Sequence, residues 1–275
     1  MEKHTCWLTA GLEPDWRERS HSTERAPERP ITFYRSIWIS DLHLGTRRCK
    51  ALELLDFLRH HRSDILYLVG DVIDGWNLGP SWFWTAAQSA VVEEIAMWSR
   101  CGGRVVLLPG NHDEFNSDLA RNLLGPVRVR PTLVHRTLEG RRMLVIHGHQ
   151  FDGSLNPNRW TWMVGSQAYR TVLRLSDWCS RTHDNTGDRD QSLLVKLKHW
   201  VNRTIEILTD FRERAVVEAA RGHHADGVIC GHIHRAEQKM LDDVLYINDG
   251  DWVHSCSALV EETDGALKLV QPVMS

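Results

Sequence analysis

Five times along this chain an apolar stretch stops at a residue able to hold a metal ion. "SIWIS" runs into Asp41 and His43, "LYLVG" into Asp71, and "VVLLPG" into Asn111 and His112. "RMLVI" runs into His147 and, two residues on, His149, and "GVICG" into His232 and His234. A charge at the end of a buried strand is costly unless it is paired or coordinated. Short, nearly continuous apolar runs signal strands covered on both faces. In α/β sheets, ligands collect in the crevice outside the carboxyl ends of the strands. The repeated pattern therefore predicts an α/β protein whose loops converge on one polar site.

Strands are expected at 34–40, 64–70, 104–110, 142–148, 226–231, 244–249 and 257–262, with helices at 49–61 and 89–100. The last strands follow one another without helices, so part of a sheet is antiparallel. Residues 1–30 are polar and aperiodic and read as a flexible N-terminal tail; residues 31–275 form the main domain. A helical insertion is expected at about 154–221. There Leu197, Trp200, Val201, Ile205 and Leu208 make one helical stripe, and Gly222 is placed to end it.

Of the 275 residues 42% are hydrophobic, enough to build one large domain carrying an insertion. The net charge of −3 offers no broad cationic face, and nucleic acid is not the expected partner. The six cysteines contain no Cys-x-x-Cys pair, which removes zinc-finger spacing and favours a reduced compartment. Without a membrane-length apolar run or a signal-peptide core, the expectation is a cytoplasmic protein with peripheral contact at the inner membrane surface as its nearest approach to lipid.

The donor types narrow the chemistry. Carboxylate and amide oxygens with imidazole nitrogens, and no thiolate, suit manganese, iron or zinc in a catalytic rather than a structural site. Asp41, His43, Asp71, Asn111, His147, His232 and His234 are too many ligands for one tetrahedral ion. They suit two ions roughly 3.5–4 Å apart, which need a bridging carboxylate. Asp71, at its strand tip, is the natural bridge. His112, next to Asn111, is the expected proton donor to a leaving oxygen, and Asp74 and Asp113 are expected to orient histidines or water.

The ordered blocks DLH, GDVID, GNHDE, HGH and GHIH resemble the calcineurin-like metallophosphoesterase superfamily over residues 36–235. That resemblance implies a four-layer sandwich, two mixed sheets between helices. It implies a first metal held by Asp41, His43, Asp71 and His234, and a second held by Asp71, Asn111, His147 and His232. "ISDLHLG", "GDVIDGW", the insertion between HGH and GHIH, and "NDGDWV" (248–253) further resemble the UDP-2,3-diacylglucosamine hydrolase-like branch. Enzymes of that branch cleave a pyrophosphate to lipid X and UMP during lipid A biosynthesis, and the best-known members carry Arg at the position of His112 and Asp at that of His149.

The plain alternative for the seven ligands is a set of buried turn polars, which five ordered recurrences argue against. Arg47 and Arg48 are either a phosphate clamp or solvated. Trp160 and Trp162 are substrate contacts on one reading and core on the other, as are Trp178 and Trp200. Trp76 and Trp252 stand nearer the metal loops and are expected to touch substrate. His60, His61, His223 and His224 read as surface residues. The function expected is a manganese-dependent pyrophosphatase acting on a nucleotide lipid; a nuclease or other phosphodiesterase, or a non-enzymatic scaffold of the same fold, are the rivals.

Overall fold

The computed structural model describes residues 30–75, 82–113, 122–151 and 212–272. The expected tail up to residue 29, Trp76, and the insertion as far as residue 211, with Trp160, Trp162, Trp178 and Trp200, lie outside the described residues.

Two mixed sheets form the centre. The first has the order β11 (Leu267–Val270), β10 (Ala258–Glu261), β1 (Thr32–Ile39), β2 (His61–Val69), β3 (Arg104–Leu108), β4 (Arg128–Val129). The second has the order β5 (Leu133–Arg136), β6 (Arg142–Val145), β7 (Gly227–Cys230), β9 (Val244–Asn248), β8 (Glu237–Leu241). β1 through β4 run parallel, as do β6, β7 and β9, while β10, β11, β5 and β8 pair antiparallel with their neighbours.

The strand period of two sorts the apolar residues into layers. Trp38, Tyr67, Val69, Val106 and Leu108 face Met143, Val145, Ile229, Leu245 and Ile247 between the sheets. The alternate residues Ile37, Ile39, Leu66, Leu68, Val105 and Leu107 meet the helices α1 (Ala51–His60) and α2 (Ala86–Arg100). On the far side Leu144, Val228, Cys230 and Tyr246 meet Val216, Val217 and Ala220 of α3, residues 212–222. The result is the four-layer sandwich: helices, sheet, sheet, helix.

Both full-length helices have local causes. α1 buries Ala51, Leu54, Leu55 and Leu58, one face at spacings of three and four. α2 begins at Thr85, whose hydroxyl accepts the Gln88 amide, and buries Val91, Val92, Ile95 and Trp98 along one stripe. Among the described residues, no helix is long and apolar enough to cross a membrane.

Two expectations change with the structure in hand. Trp252 is fully buried against Phe57 in the helix-side core, so its ring is a packing group and not a substrate contact. His61 does not sit free on the surface: it opens β2 and stacks on Phe57 at 4.2 Å.

Candidate metal centre

The carboxyl ends of β1, β2, β3, β6 and β7 meet at one edge of the sandwich, and each delivers its polar residue there. The loops after β1 and β2 are zipped beyond the strands, Asp41 N–H donating to Gly70 O (2.9 Å) and His43 N–H to Asp71 O (3.0 Å). Five of the seven expected ligands have left-handed backbones: Asp41 (φ 53°), His43 (48°), Asp71 (51°), His232 (72°) and His234 (54°). L-residues pay for that conformation, and such strain collects at functional sites. Here it turns each side chain out of the sheet plane toward a common point.

Close packing holds that geometry. A Cβ on Gly110 would run into the Asp71 carboxylate, and one on Gly231 into the Ser40 hydroxyl and Asp41 Oδ2. Only glycine lets the β3 and β7 loops approach the acidic ligands this closely.

Three groups of donor atoms lie within 4.8 Å of one another: Asp41, His43 and His234; His43, Asp71 and His112; Asp71, His147 and His232. Asp71 belongs to two of them, and its oxygens face different partners. Oδ1 lies 3.5 Å from His147 Nε2, whereas Oδ2 lies 4.0 Å from His43 Nε2 and 3.8 Å from His112 Nε2. Asp41 Oδ1 lies 3.1 Å from His234 Nε2 and 3.9 Å from His43 Nε2. Asn111 stands in the turn after β3, between Gly110 and His112.

Second partners orient the rings. His147 Nδ1 meets the Val69 carbonyl at 2.7 Å, which assigns a hydrogen to Nδ1 and turns Nε2 toward Asp71. Asp74 stands between two rings, 3.0 Å from His112 Nδ1 and 3.5 Å from His43 Nδ1. Asp113 turns to the backbone and not to a histidine, accepting the amides of Val72 (3.1 Å), Ile73 (2.9 Å) and Gly110 (3.1 Å). His149 sits beside His147 and His232, ring centroids 5.4 and 6.4 Å away. Arg47 lies over the Phe83 ring at 4.1 Å, exposed on the rim.

The electrostatics are those of a charge-dense site. Burial acts to raise the Asp41 and Asp71 carboxyls, but facing histidines, His234 for the first and His147 for the second, hold both below the ordinary range. Burial opposes charge on His147, yet Asp71 raises it to about 10. Burial and the Asp71 charge push Asp113 up to about 6 against its three amide donors.

A cation fits this arrangement. Asp41 Oδ1 and His147 Nε2 are buried, and their contacts with His234 and Asp71 are too poorly aimed to count as hydrogen bonds. Buried polar atoms left this way in a native site call for an ion or water, and the oxygen and imidazole donors suit a borderline divalent metal.

Sequence reasoning missed one contribution. β9 also ends at this edge, and its loop brings in Asp249 and Asp251, both fully buried. Asp249 Oδ1 lies 2.6 Å from the Ser40 hydroxyl, and Asp251 caps the amide of Val253 at 2.7 Å and faces His234 Nδ1 at 3.9 Å. The signal is present in "NDGDW", again a strand running into carboxylates.

The fold and site define a metal-dependent phosphoesterase, and the chain belongs to the calcineurin-like phosphoesterase family, whose model matches residues 34–236. Among its curated relatives is a UDP-2,3-diacylglucosamine hydrolase of Xanthomonas campestris pv. campestris (strain B100), 37% identical over 242 residues, covering 84% of this chain and 96% of that protein. A protein of the same name from Cellvibrio japonicus (strain Ueda107) is 26% identical over 230 residues, 80% of this chain and 91% of its own length. A solved phosphoesterase from E. coli is 16% identical with a TM-score of 0.42, covering 86% of this chain and 99% of that one.

Proposed function

We propose that this chain is a two-metal hydrolase that cleaves the pyrophosphate bond of a UDP-2,3-diacylglucosamine-type nucleotide lipid. The observation that carries the two-metal reading is Asp71, whose two carboxylate oxygens face separate histidine sets, as a bridging ligand requires. Asp41, His43, Asp71 and His234 would hold one ion, and Asp71, Asn111, His147 and His232 the other, with manganese the first candidate. When bound, such an ion pair withdraws charge from a phosphoryl group and acidifies a water.

The protein's own residues do the rest. Asp74 holds His112 Nδ1, which turns Nε2 toward Asp71, and in this reading His112 Nε2 gives its proton to the leaving oxygen. Asp113 locks the β2 and β3 loops together through three amides, so that Asp71 and Asn111 keep one separation. Arg47, on the rim and already engaged with Phe83, is placed to meet a substrate phosphate arriving from outside. Trp76, Trp160 and Trp162 are retained as proposed contacts for the lipid portion. Work at the cytoplasmic face of a membrane is part of the same proposal, because a diacylated substrate resides there.

Support for the substrate is the 37% identity to a hydrolase of that name across nearly its whole length. The test is manganese-dependent UMP release from UDP-2,3-diacylglucosamine, beside an aryl phosphodiester, with Asp71→Asn as control. UMP release that the mutant loses is the expected result. Aryl diester cleavage without UMP release would overturn the substrate and keep the reaction class.

A further inference from the structure

Ser40 occupies a position that the ligand set does not explain. Its Oγ lies 2.7 Å from Asp41 Oδ2, 2.6 Å from Asp249 Oδ1 and 3.1 Å from the Gly250 carbonyl. Ser40 is 1% exposed and both carboxyls are 0% exposed, so bulk water does not separate them.

Hydrogen counting decides the arrangement. A serine hydroxyl has one hydrogen to donate, and ionised carboxylates only accept. Two O···O separations this short each require a hydrogen between the oxygens. One comes from Ser40 and the other must come from a carboxyl. Asp41 Oδ2 already accepts the His232 amide at 2.8 Å, and its Oδ1 faces His234. The remaining hydrogen therefore belongs to Asp249, whose Oδ1–H donates to Ser40 Oγ while Ser40 Oγ–H donates to Asp41 Oδ2. Complete burial independently favours an uncharged Asp249, pushing its carboxyl well above the ordinary range.

The scaffold around Asp249 ties it to the same edge. Its amide donates to Cys230 O (3.0 Å), its carbonyl accepts Ser257 Oγ–H (2.8 Å), and Asn248 Nδ2 donates to Gly231 O (2.6 Å). The β9 loop is thus bolted to the turn that carries His232 and His234.

We propose that Ser40 and Asp249 are positioning residues for Asp41. The Asp249 hydrogen fixes the Ser40 hydroxyl, which together with the His232 amide saturates Asp41 Oδ2 and leaves Oδ1 for the cation. This rests on the two-metal reading above.

The experiment is calorimetric titration of Mn²⁺ into ion-free protein for wild type, Ser40→Ala, Asp249→Ala and Asp249→Asn, with thermal unfolding of each ion-free variant. Outer-shell changes weaken metal binding roughly 10- to 100-fold. That loss is expected in one of the two binding steps for Ser40→Ala and Asp249→Ala. Asp249→Asn, whose carboxamide N–H replaces the acid hydrogen, should bind close to wild type. Unchanged Mn²⁺ affinity in the two alanine variants, whatever their unfolding temperature, would overturn the positioning role. An Asn variant as weak as the Ala variant would overturn Asp249 as the donor. Wild type that takes up no Mn²⁺ would overturn the two-metal reading and this inference with it, an outcome separate from the other two.

Discussion

The layer between the sheets holds a histidine–carboxylate cluster that resembles the metal centre in composition and differs in everything else. In it, Glu261 of β10 accepts His135 Nε2–H of β5 at 3.1 Å and the Leu138 amide at 2.8 Å, with Arg35 Nε at 3.3 Å. His135 Nδ1 meets the Tyr67 hydroxyl at 3.0 Å, and Trp38 stacks on Tyr67 at 5.2 Å. All four ring and carboxyl residues lie on regular strands, and none of them has a left-handed backbone. At the candidate metal centre five expected ligands are left-handed, and Asp41 Oδ1 and His147 Nε2 face their partners without well-aimed hydrogen bonds. In one cluster His135, Glu261 and Tyr67 satisfy one another, with the buried Trp38 indole N–H left over. The other is held open at a cost in strain, which is how a site for an external cation differs from a structural network.

The largest expected effect that would break this contrast is at Asp71. Asp71→Asn should reduce phosphoester hydrolysis by at least about 10²–10³-fold, the range for losing one group that stabilises transition-state charge. The ion-free protein should also unfold at a lower temperature, because His147 loses the carboxylate that raises it. Near-normal turnover by the mutant would end the comparison.

Next is Gly110→Ala. The new methyl group meets the Asp71 carboxylate, and overpacking of this kind costs about 1–3 kcal/mol. Activity should fall together with stability, which melting curves and steady-state rates on the same preparation would register.

Glu261→Gln tests the closed cluster. Leaving its buried donors poorly satisfied should cost about 1–3 kcal/mol at neutral pH, with hydrolysis unaffected. Burial raises the Glu261 carboxyl, but His135 and the Leu138 amide outweigh it and hold the folded-state value below 4.5. An acid depressed by folding contributes stability above its unfolded value and loses it as pH falls through the folded value. The difference between wild type and Glu261→Gln should therefore shrink below pH 4.5. A gap that stays constant in denaturant melts across that range would show that the carboxylate charge is not what stabilises this network. Tyr67→Phe is expected to be the smallest change, about 1 kcal/mol for one hydrogen bond, again without an effect on turnover.

Among the described residues seven strands were legible from sequence and four were not, and the division follows position. β1, β2, β3, β6, β7, β9 and β10 are interior strands whose described faces are largely buried on both sides. β4, β5, β8 and β11 are the four sheet edges. An edge strand is partly solvated, so its pattern is mixed, as in "EQKML" of β8, where Gln238 and Met240 are exposed. The donor residues were legible for a similar reason. An apolar run that ends in Asp or His is a local signal, and glycines beside it mark the turn. The left-handed backbones at Asp41, His43 and Asp71 carry only a weak signal, because Asp and His enter that region more often than most residues but not as a rule.

By itself the sequence determined the donor chemistry, the buried interior strands and the placing of candidate donors at their ends. All of these are set by neighbours a few residues apart. Tertiary structure alone decided which carboxylate meets which histidine, where Trp252 goes, and how Ser40 reaches Asp249, 209 residues away. The His135–Glu261 pair spans 126 residues in the same way. Contacts of that length depend on how the two sheets stack, and stacking is a property of faces assembled from the whole chain, which no local pattern encodes.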